Sequence, residues 1–262
     1  MSDLFWLDTG SGIPLVLLHG GFLDHHMWDD QVPVLAERYR VITPDARGHG
    51  RSPNATEPFR PADDLAALLR HLDTGPAILA GASMGASTAV DTALEHPDLV
   101  RALIVTGAGT SEPYFTDPWT LQTLTTWTTA MAAGDLHTSV ETFLRFAAGP
   151  HRTLDEVDPR VVARQRQMAT ATMSKHTVGE PDYLVPVPDT WERAAAIGVP
   201  VLAVHGALDS PDHIGMADRL IHTVAHGHAT SIDGCGHYPN MERPDTYNKI
   251  LTNFLDTLPE KQ

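Results

Sequence analysis

The stretch best able to do chemistry is Gly81-Ala82-Ser83-Met84-Gly85. A G-x-S-x-G pattern that ends an apolar run and opens a helix can form a sharp, strained elbow that thrusts the serine hydroxyl into the open. The two glycines would let neighbouring turns come closer than a side chain allows. An ordinary Gly/Ala/Ser-rich turn has the same composition, so the pattern alone leaves both readings open. A serine hydroxyl is a poor nucleophile until a base takes its proton, and that base needs a carboxylate to fix its tautomer and stabilise its cation. Asp209, in Gly206-Ala207-Leu208-Asp209, and His237, in Gly234-Cys235-Gly236-His237, are residues of those types in glycine-bearing loops.

Other residues compete for these roles. Asp212 is three residues beyond Asp209, but Ser210-Pro211 reads as a helix start, which places Asp212 in a first turn where the dipole favours an acid. Fifteen histidines, among them His25-His26 and the trio His222, His226 and His228, invite a metal reading. Adjacent histidines are expected to point apart, the trio straddles a helix end and a strand, and no H-E-x-x-H or cysteine pair accompanies them, so no metal site is expected. His19 opens a glycine-rich loop and is expected to orient it. Cys235 lacks an elbow and is expected to be a small packing residue. His19-Gly20-Gly21-Phe22 has the wrong spacing for a phosphate loop, so no nucleotide cofactor is expected.

The elements that must position these residues can be read from periodicity. Ile13–Leu18, Arg40–Thr43, Pro76–Ala80, Val100–Val105, Val199–His205 and His228–Ile232 read as strands, mostly continuous apolar runs of the kind buried on both faces. Helices are expected at Gln31–Arg38, Pro61–Leu72, Met84–Glu95, Ile214–Val224 and Thr246–Leu258, with Leu65, Leu68, Leu69 and Leu72 forming one core stripe. Strands alternating with helices imply an α/β fold with a mostly parallel sheet covered on both faces, where ligands bind beyond the carboxyl ends of the strands. Ser83, Asp209 and His237 then share one edge of one sheet. From 110 to 195 the rhythm breaks into a helical stretch rich in Thr, Ala, Met and Trp, read as a lid or cap inserted into a core domain made of 1–109 and 196–262. It holds Trp119, Trp127, Trp191, Phe115, Phe143, Phe146, Met131, Met168 and Met173, expected to form mostly the lid's own core, with some facing the pocket.

Composition narrows the partners. Acidic residues outnumber basic ones by 33 to 18, a formal net charge of −15, which argues against nucleic acid or an anionic membrane surface. Lysines occur only at Lys175, Lys249 and Lys261. A single cysteine excludes an intramolecular disulfide, and Met1-Ser2-Asp3-Leu4 lacks the basic start and apolar core of a signal peptide, so a cytoplasmic location is expected. No apolar run reaches the roughly 20 residues that span a bilayer. A homo-oligomer is left open.

With these elements placed, the sequence resembles the α/β-hydrolase fold family, and within it the compact bacterial serine esterases, lactonases and cofactor-free haloperoxidases. The resemblance covers nearly the whole chain outside 110–195. It rests on His19-Gly20-Gly21-Phe22, Asp45-Ala46-Arg47-Gly48-His49-Gly50-Arg51-Ser52, the Ser83 elbow, Gly206-Ala207-Leu208-Asp209, and Gly236-His237 followed by Glu242-Arg243-Pro244. It implies Ser83 as nucleophile, His237 as base and Asp209 as acid, in the family's chain order. It implies an oxyanion hole from the amide of Met84 and one from Gly21, with Phe22 next. Relatives that attack sp³ carbon place an aspartate at the elbow, so a serine implies attack on a carbonyl. The expected substrate is a small-molecule ester or lactone. Two alternatives are cleavage of a carbon–carbon bond next to a ketone, and a non-hydrolytic enzyme or binding protein that retains the fold.

Overall fold

In the computed structural model, residues 3–259 are described; Met1, Ser2, Glu260, Lys261 and Gln262 lie outside them. Seven strands form one sheet: β1 (Trp6–Gly10), β2 (Ile13–Leu18), β3 (Tyr39–Pro44), β4 (Ala77–Ala82), β5 (Val100–Thr106), β6 (Val201–Gly206) and β7 (Gly227–Ile232). Their order is β1-β3-β2-β4-β5-β6-β7. All neighbours run parallel except β1, which pairs antiparallel with β3 from Trp6 opposite Pro44 to Gly10 opposite Arg40.

The central strands are buried on both faces, and their residues alternate between two cores. Leu15, Leu17, Ile78, Ala80, Ile104, Leu202 and Val204 point into one. Val16, Leu18, Leu79, Leu103, Val105, Val201 and Ala203 point into the other. This is the period of two that a strand imposes.

Seven longer helices cover these faces: α1 (Pro61–His71), α2 (Met84–Glu95), α3 (Pro118–Ala132), α4 (Leu136–Ala148), α5 (Pro159–Met173), α6 (Pro211–Thr223) and α7 (Pro244–Thr257). α1, α2 and α6 close the second core through Leu65, Leu69, Ala89, Val90 and Leu220. α7 closes the first with Tyr247, Leu251 and Leu255, together with Val140, Phe143 and Leu144 of α4. The helix expected over Gln31–Arg38 shrinks to Val32–Leu35. Among the described residues no helix is long and apolar enough to cross a membrane.

Between β5 and β6 lie α3, α4 and α5, then a stretch without long elements. That stretch docks on the loop after β3 through a bridge between Phe59 and Leu184. Lys175 Nζ donates to the carbonyls of His49 and Gly50 there. Inside this segment Phe143, Met168 and Met173 are buried, whereas Trp119, Trp127 and Phe146 are only partly covered.

Candidate active site

Ser83 follows β4 and caps α2 with φ 51° and ψ −114°, a left-handed φ rare for a residue with a side chain. Its amide donates to the Thr106 carbonyl at 2.7 Å, which ties the elbow to the end of β5. The flanking glycines are sterically required. A Cβ on Gly81 would sit 2.2 Å from the Gly85 carbonyl oxygen, and one on Gly85 would sit 2.2 Å from that of Leu18. Met84 is the first residue of α2, so its amide has no acceptor within the helix and lies at the positive end of the dipole.

Asp209 and His237, expected at neighbouring strand ends, meet in a buried contact: His237 Nδ1 lies 2.8 Å from Asp209 Oδ2. The other carboxylate oxygen accepts from the Ser210 amide at 2.7 Å. The His237 loop is pinned from below by α4 and from the side by a buried ion pair. The His237 amide donates to the Ala147 carbonyl at 3.0 Å, and Glu242 accepts both the Gly236 amide and Arg152 Nη2. Burial raises the Asp209 carboxyl, but the charge of His237, then that of His213, outweighs it, and the acid is held well below the usual carboxylate range. Burial likewise lowers His237. The pair is therefore an ionised carboxylate beside a neutral imidazole. Its Nδ1 proton points at Asp209, and its buried Nε2 makes no hydrogen bond.

Ser83, Met84, Gly21 and Phe22 all line one cavity of about 160 Å³. Its remaining walls are mostly aromatic: Trp127 from α3, Phe143 and Phe146 from α4, and Tyr238. Phe22 adopts φ 62°, and its ring packs on Trp127 at 4.9 Å. Seven threonines lie between Thr116 and Thr129. Of them only Thr123 reaches the cavity, while Thr125, Thr126 and Thr129 donate to carbonyls of their own helix.

A larger cavity of about 470 Å³ lies elsewhere, lined by Met84 but not by Ser83, Asp209 or His237. Its walls include His19, His49, α1, the 176–187 stretch and Asp91 of α2. Burial pushes the Asp91 carboxyl up to about 6, against the hydrogen bond from Ser111. Size alone would favour this cavity, but Ser83 and the Met84, Gly21 and Phe22 backbone line the smaller one.

The bracing residues fall where the sequence places them. His19 Nδ1 donates to the Gly20 carbonyl at 2.8 Å, and its Nε2 accepts the Ala46 amide at 2.9 Å, so the ring holds two loops together. Asp45 accepts from His25 and Arg51. Cys235 is buried, and its thiol is pushed up to about 12 by burial, out of reach of nucleophilic use. Asp212 lies in the first turn of α6 and accepts from Thr116 and Asp117.

One expectation is corrected. His25 and His26 do not point apart: their rings sit 4.0 Å from each other, because each Nδ1 is drawn to a carboxylate, Asp45 for His25 and Asp24 for His26. Asp24, His25 and His26 bring their ligand atoms within 4.8 Å of one another, as do Asp209, His213 and His237. Among the described residues no further such group is found. Both groups are knit by the hydrogen bonds given above, those of the second being the Asp209–His237 contact itself.

Two site residues are absent from the sequence reading. His213 is buried against His237, ring centroids 4.4 Å apart, with Nδ1 2.8 Å from Ser210 Oγ. Its i+4 spacing from Asp209 across a helix start was the available signal. Tyr238, adjacent to His237, turns inward and is fully buried; nothing in the local pattern distinguishes it from a loop tyrosine.

Comparison with known proteins agrees with this architecture. The family model described as alpha/beta hydrolase fold matches residues 13–244. A pimeloyl-[acyl-carrier protein] methyl ester esterase of Aromatoleum aromaticum is 29% identical over 250 residues, covering 92% of this chain and 97% of that protein. The (E)-2-((N-methylformamido)methylene)succinate hydrolase of Acinetobacter baylyi is 27% identical over 259 residues, covering 97% and 94%. A malate-bound thermophilic esterase from Thermogutta terrifontis superposes with a TM-score of 0.77 at 26% identity, covering 97% of this chain and 93% of that one.

Proposed function

Because the chain belongs to the α/β hydrolase fold family, we propose that it is a serine hydrolase that cleaves a small-molecule carboxylic ester or lactone through an acyl-enzyme. The observation that carries this reading is the Asp209–His237 contact. A buried, ionised carboxylate fixes the Nδ1 proton and leaves the Nε2 lone pair free, on the same sheet edge as the strained elbow serine that follows β4. Ser83 attacks the carbonyl carbon, His237 takes its proton, and Asp209 stabilises the imidazolium. The developing oxyanion is received by the Met84 amide and by amides of the Gly21–Phe22 turn, each such donor contributing about 3 to 4 kcal/mol in the transition state. His237 then protonates the leaving alcohol, and water repeats the sequence to release the acid. No step calls for a metal or cofactor. The segment 110–195 serves as the cap: α3 and α4 supply Trp127, Phe143 and Phe146 to the substrate cavity.

An aromatic cavity with few polar groups suits an apolar acyl or alcohol portion better than the dicarbonyl substrate of a carbon–carbon hydrolase. The esterase names among the relatives support the same choice. Ser83→Ala, assayed on p-nitrophenyl esters of graded chain length and on a set of lactones, is expected to lower kcat by about 10⁴ to 10⁶ with the fold retained. Near-normal turnover by the folded variant would overturn the proposal.

A further inference from the structure

Among the described residues, Met84 alone lines both the cavity that holds Ser83 and the larger one beside it. With Ser87, Thr88 and Asp91 it forms one stripe of α2, at i, i+3, i+4 and i+7, along the wall of the larger cavity. That stripe leads about 10 Å away from the elbow. The Met84 side chain is half-buried, and as an unbranched thioether with three rotatable bonds it can swing aside without moving the backbone. The partition around it is thin. A Cβ on Gly21 would lie 3.9 Å from Met84 Cβ, and the Phe22 ring of the smaller cavity sits 6.2 Å from the His49 ring of the larger. At about 160 Å³ the smaller cavity is below the roughly 300 to 1,000 Å³ of small-molecule sites, and joined to its neighbour of about 470 Å³ it falls inside that range.

The polar groups around the larger cavity are mostly paired within the protein. Ser87 Oγ donates to the Thr110 carbonyl at 3.3 Å, and Thr88 Oγ1 to that of Met84 at 3.0 Å. His49 Nδ1 donates to the Arg47 carbonyl at 3.0 Å, and the Arg47 guanidinium is clamped by Asp3 and Asp64. Leu18, Phe59, Leu65, Val185 and Val187 complete an apolar wall. The stripe ends at the buried Asp91 carboxyl, which accepts from Ser111 Oγ at 2.9 Å. Resting on the serine-hydrolase reading above, we infer that the larger cavity is the subsite for one long arm of the ester, an unbranched apolar chain of roughly eight carbons along that 10 Å stripe, and that the Met84 side chain is the gate through which the arm passes from Ser83. The Met84 amide stays with the oxyanion, while its side chain sets chain-length specificity. An arm that runs past the stripe brings its apolar end against the Asp91 carboxyl, so the preference has an upper limit.

The test measures kcat/KM on two series: p-nitrophenyl esters of straight-chain acids, which lengthen the acyl arm, and acetates of straight-chain alcohols, which lengthen the other. In one of them it is expected to rise by about tenfold or more from the two-carbon to the eight-carbon arm, since each buried methylene contributes up to about fourfold, and to fall beyond about twelve carbons. No rise in either series would overturn the inference. Three variants then report the ratio of kcat/KM on the eight-carbon ester to that on the two-carbon ester. Thr88→Phe and Ala55→Trp fill the larger cavity from α2 and from the loop after β3, and each should lower the ratio by about tenfold. Met84→Ala keeps the amide, removes the gate and should raise the ratio by about threefold. Thermal unfolding checks that each variant is folded, and a general loss of packing would move both esters together and leave the ratio alone. A ratio unchanged in both filled variants, or one that fails to rise in Met84→Ala, would overturn the inference. A wild type that hydrolyses neither series and refuses a fluorophosphonate would instead overturn the serine-hydrolase reading on which the inference rests.

Discussion

Asp209→Asn removes a charge that the fold holds at 2% exposure, 2.8 Å from His237 Nδ1. The amide can turn its NH₂ towards the ring, which must then accept at Nδ1 and carry its proton on Nε2, the tautomer that cannot take a proton from Ser83. The imidazolium that forms during attack also loses its counter-charge in a buried site. Together these set the expected loss at about 10⁴ in kcat, or about 5.5 kcal/mol of barrier. Asp212 is the natural control, since it lies three residues on and serves a different purpose. Its oxygens accept the Thr116 amide at 3.1 Å and the Asp117 amide at 3.0 Å, tying α6 to the start of α3. Asp212→Asn keeps one acceptor oxygen and is expected to cost about 1 kcal/mol of stability with turnover near wild type. Hydrolysis of p-nitrophenyl acetate by both variants, with urea unfolding run in parallel, separates the two effects. Retention of more than about a tenth of kcat by Asp209→Asn, or a comparable loss in Asp212→Asn, would refute the assignment.

Burial lowers His237 below its ordinary 6.5, and the base acts only when neutral. kcat/KM should therefore hold across neutral pH and fall as pH drops through a midpoint under 6.5; an acid limb centred above about 7 would contradict a buried neutral imidazole. Stability should decline in the same direction, because the unfolded chain takes up the His237 proton first. Asp91 carries the opposite sign. With a carboxyl raised from 3.8 to about 6, it costs stability as pH rises through that window, because the unfolded state ionises first. Asp91→Asn should accordingly stabilise the protein by about 2 to 3 kcal/mol at pH 8 and by little near pH 4 in urea unfolding. An unchanged difference between the two pH values would show that Asp91 is not held neutral.

What could be read from the sequence follows from physical constraint. Ile13–Leu18 and Val100–Val105 are continuous apolar runs because parallel strands are covered on both faces, and the structure extends the second by only one residue. Gly81 and Gly85 could be read as steric requirements because nothing larger fits between the turns. β1 escaped because Trp6–Gly10 is an edge strand with four of five residues exposed, so no buried run marks it. The facing rings of His25 and His26 escaped because the His25 rotamer is set by Asp45, twenty residues on in the loop after β3, while the local carboxylate of Asp24 holds His26. Tyr238 escaped for a similar reason. Its direction is fixed by the space at Gly20, more than 200 residues earlier in the chain, and by Phe143 of α4. Long-range packing of this kind leaves no periodic trace.

The central claim is that Ser83 is the nucleophile, and one labelling experiment tests it most directly. The protein is treated with a fluorophosphonate, digested, and the adduct located by mass spectrometry. The account predicts one adduct, on Ser83, which disappears in Ser83→Ala and forms far more slowly in His237→Ala. No adduct on the folded wild type, or an adduct on another residue that survives Ser83→Ala, would contradict it.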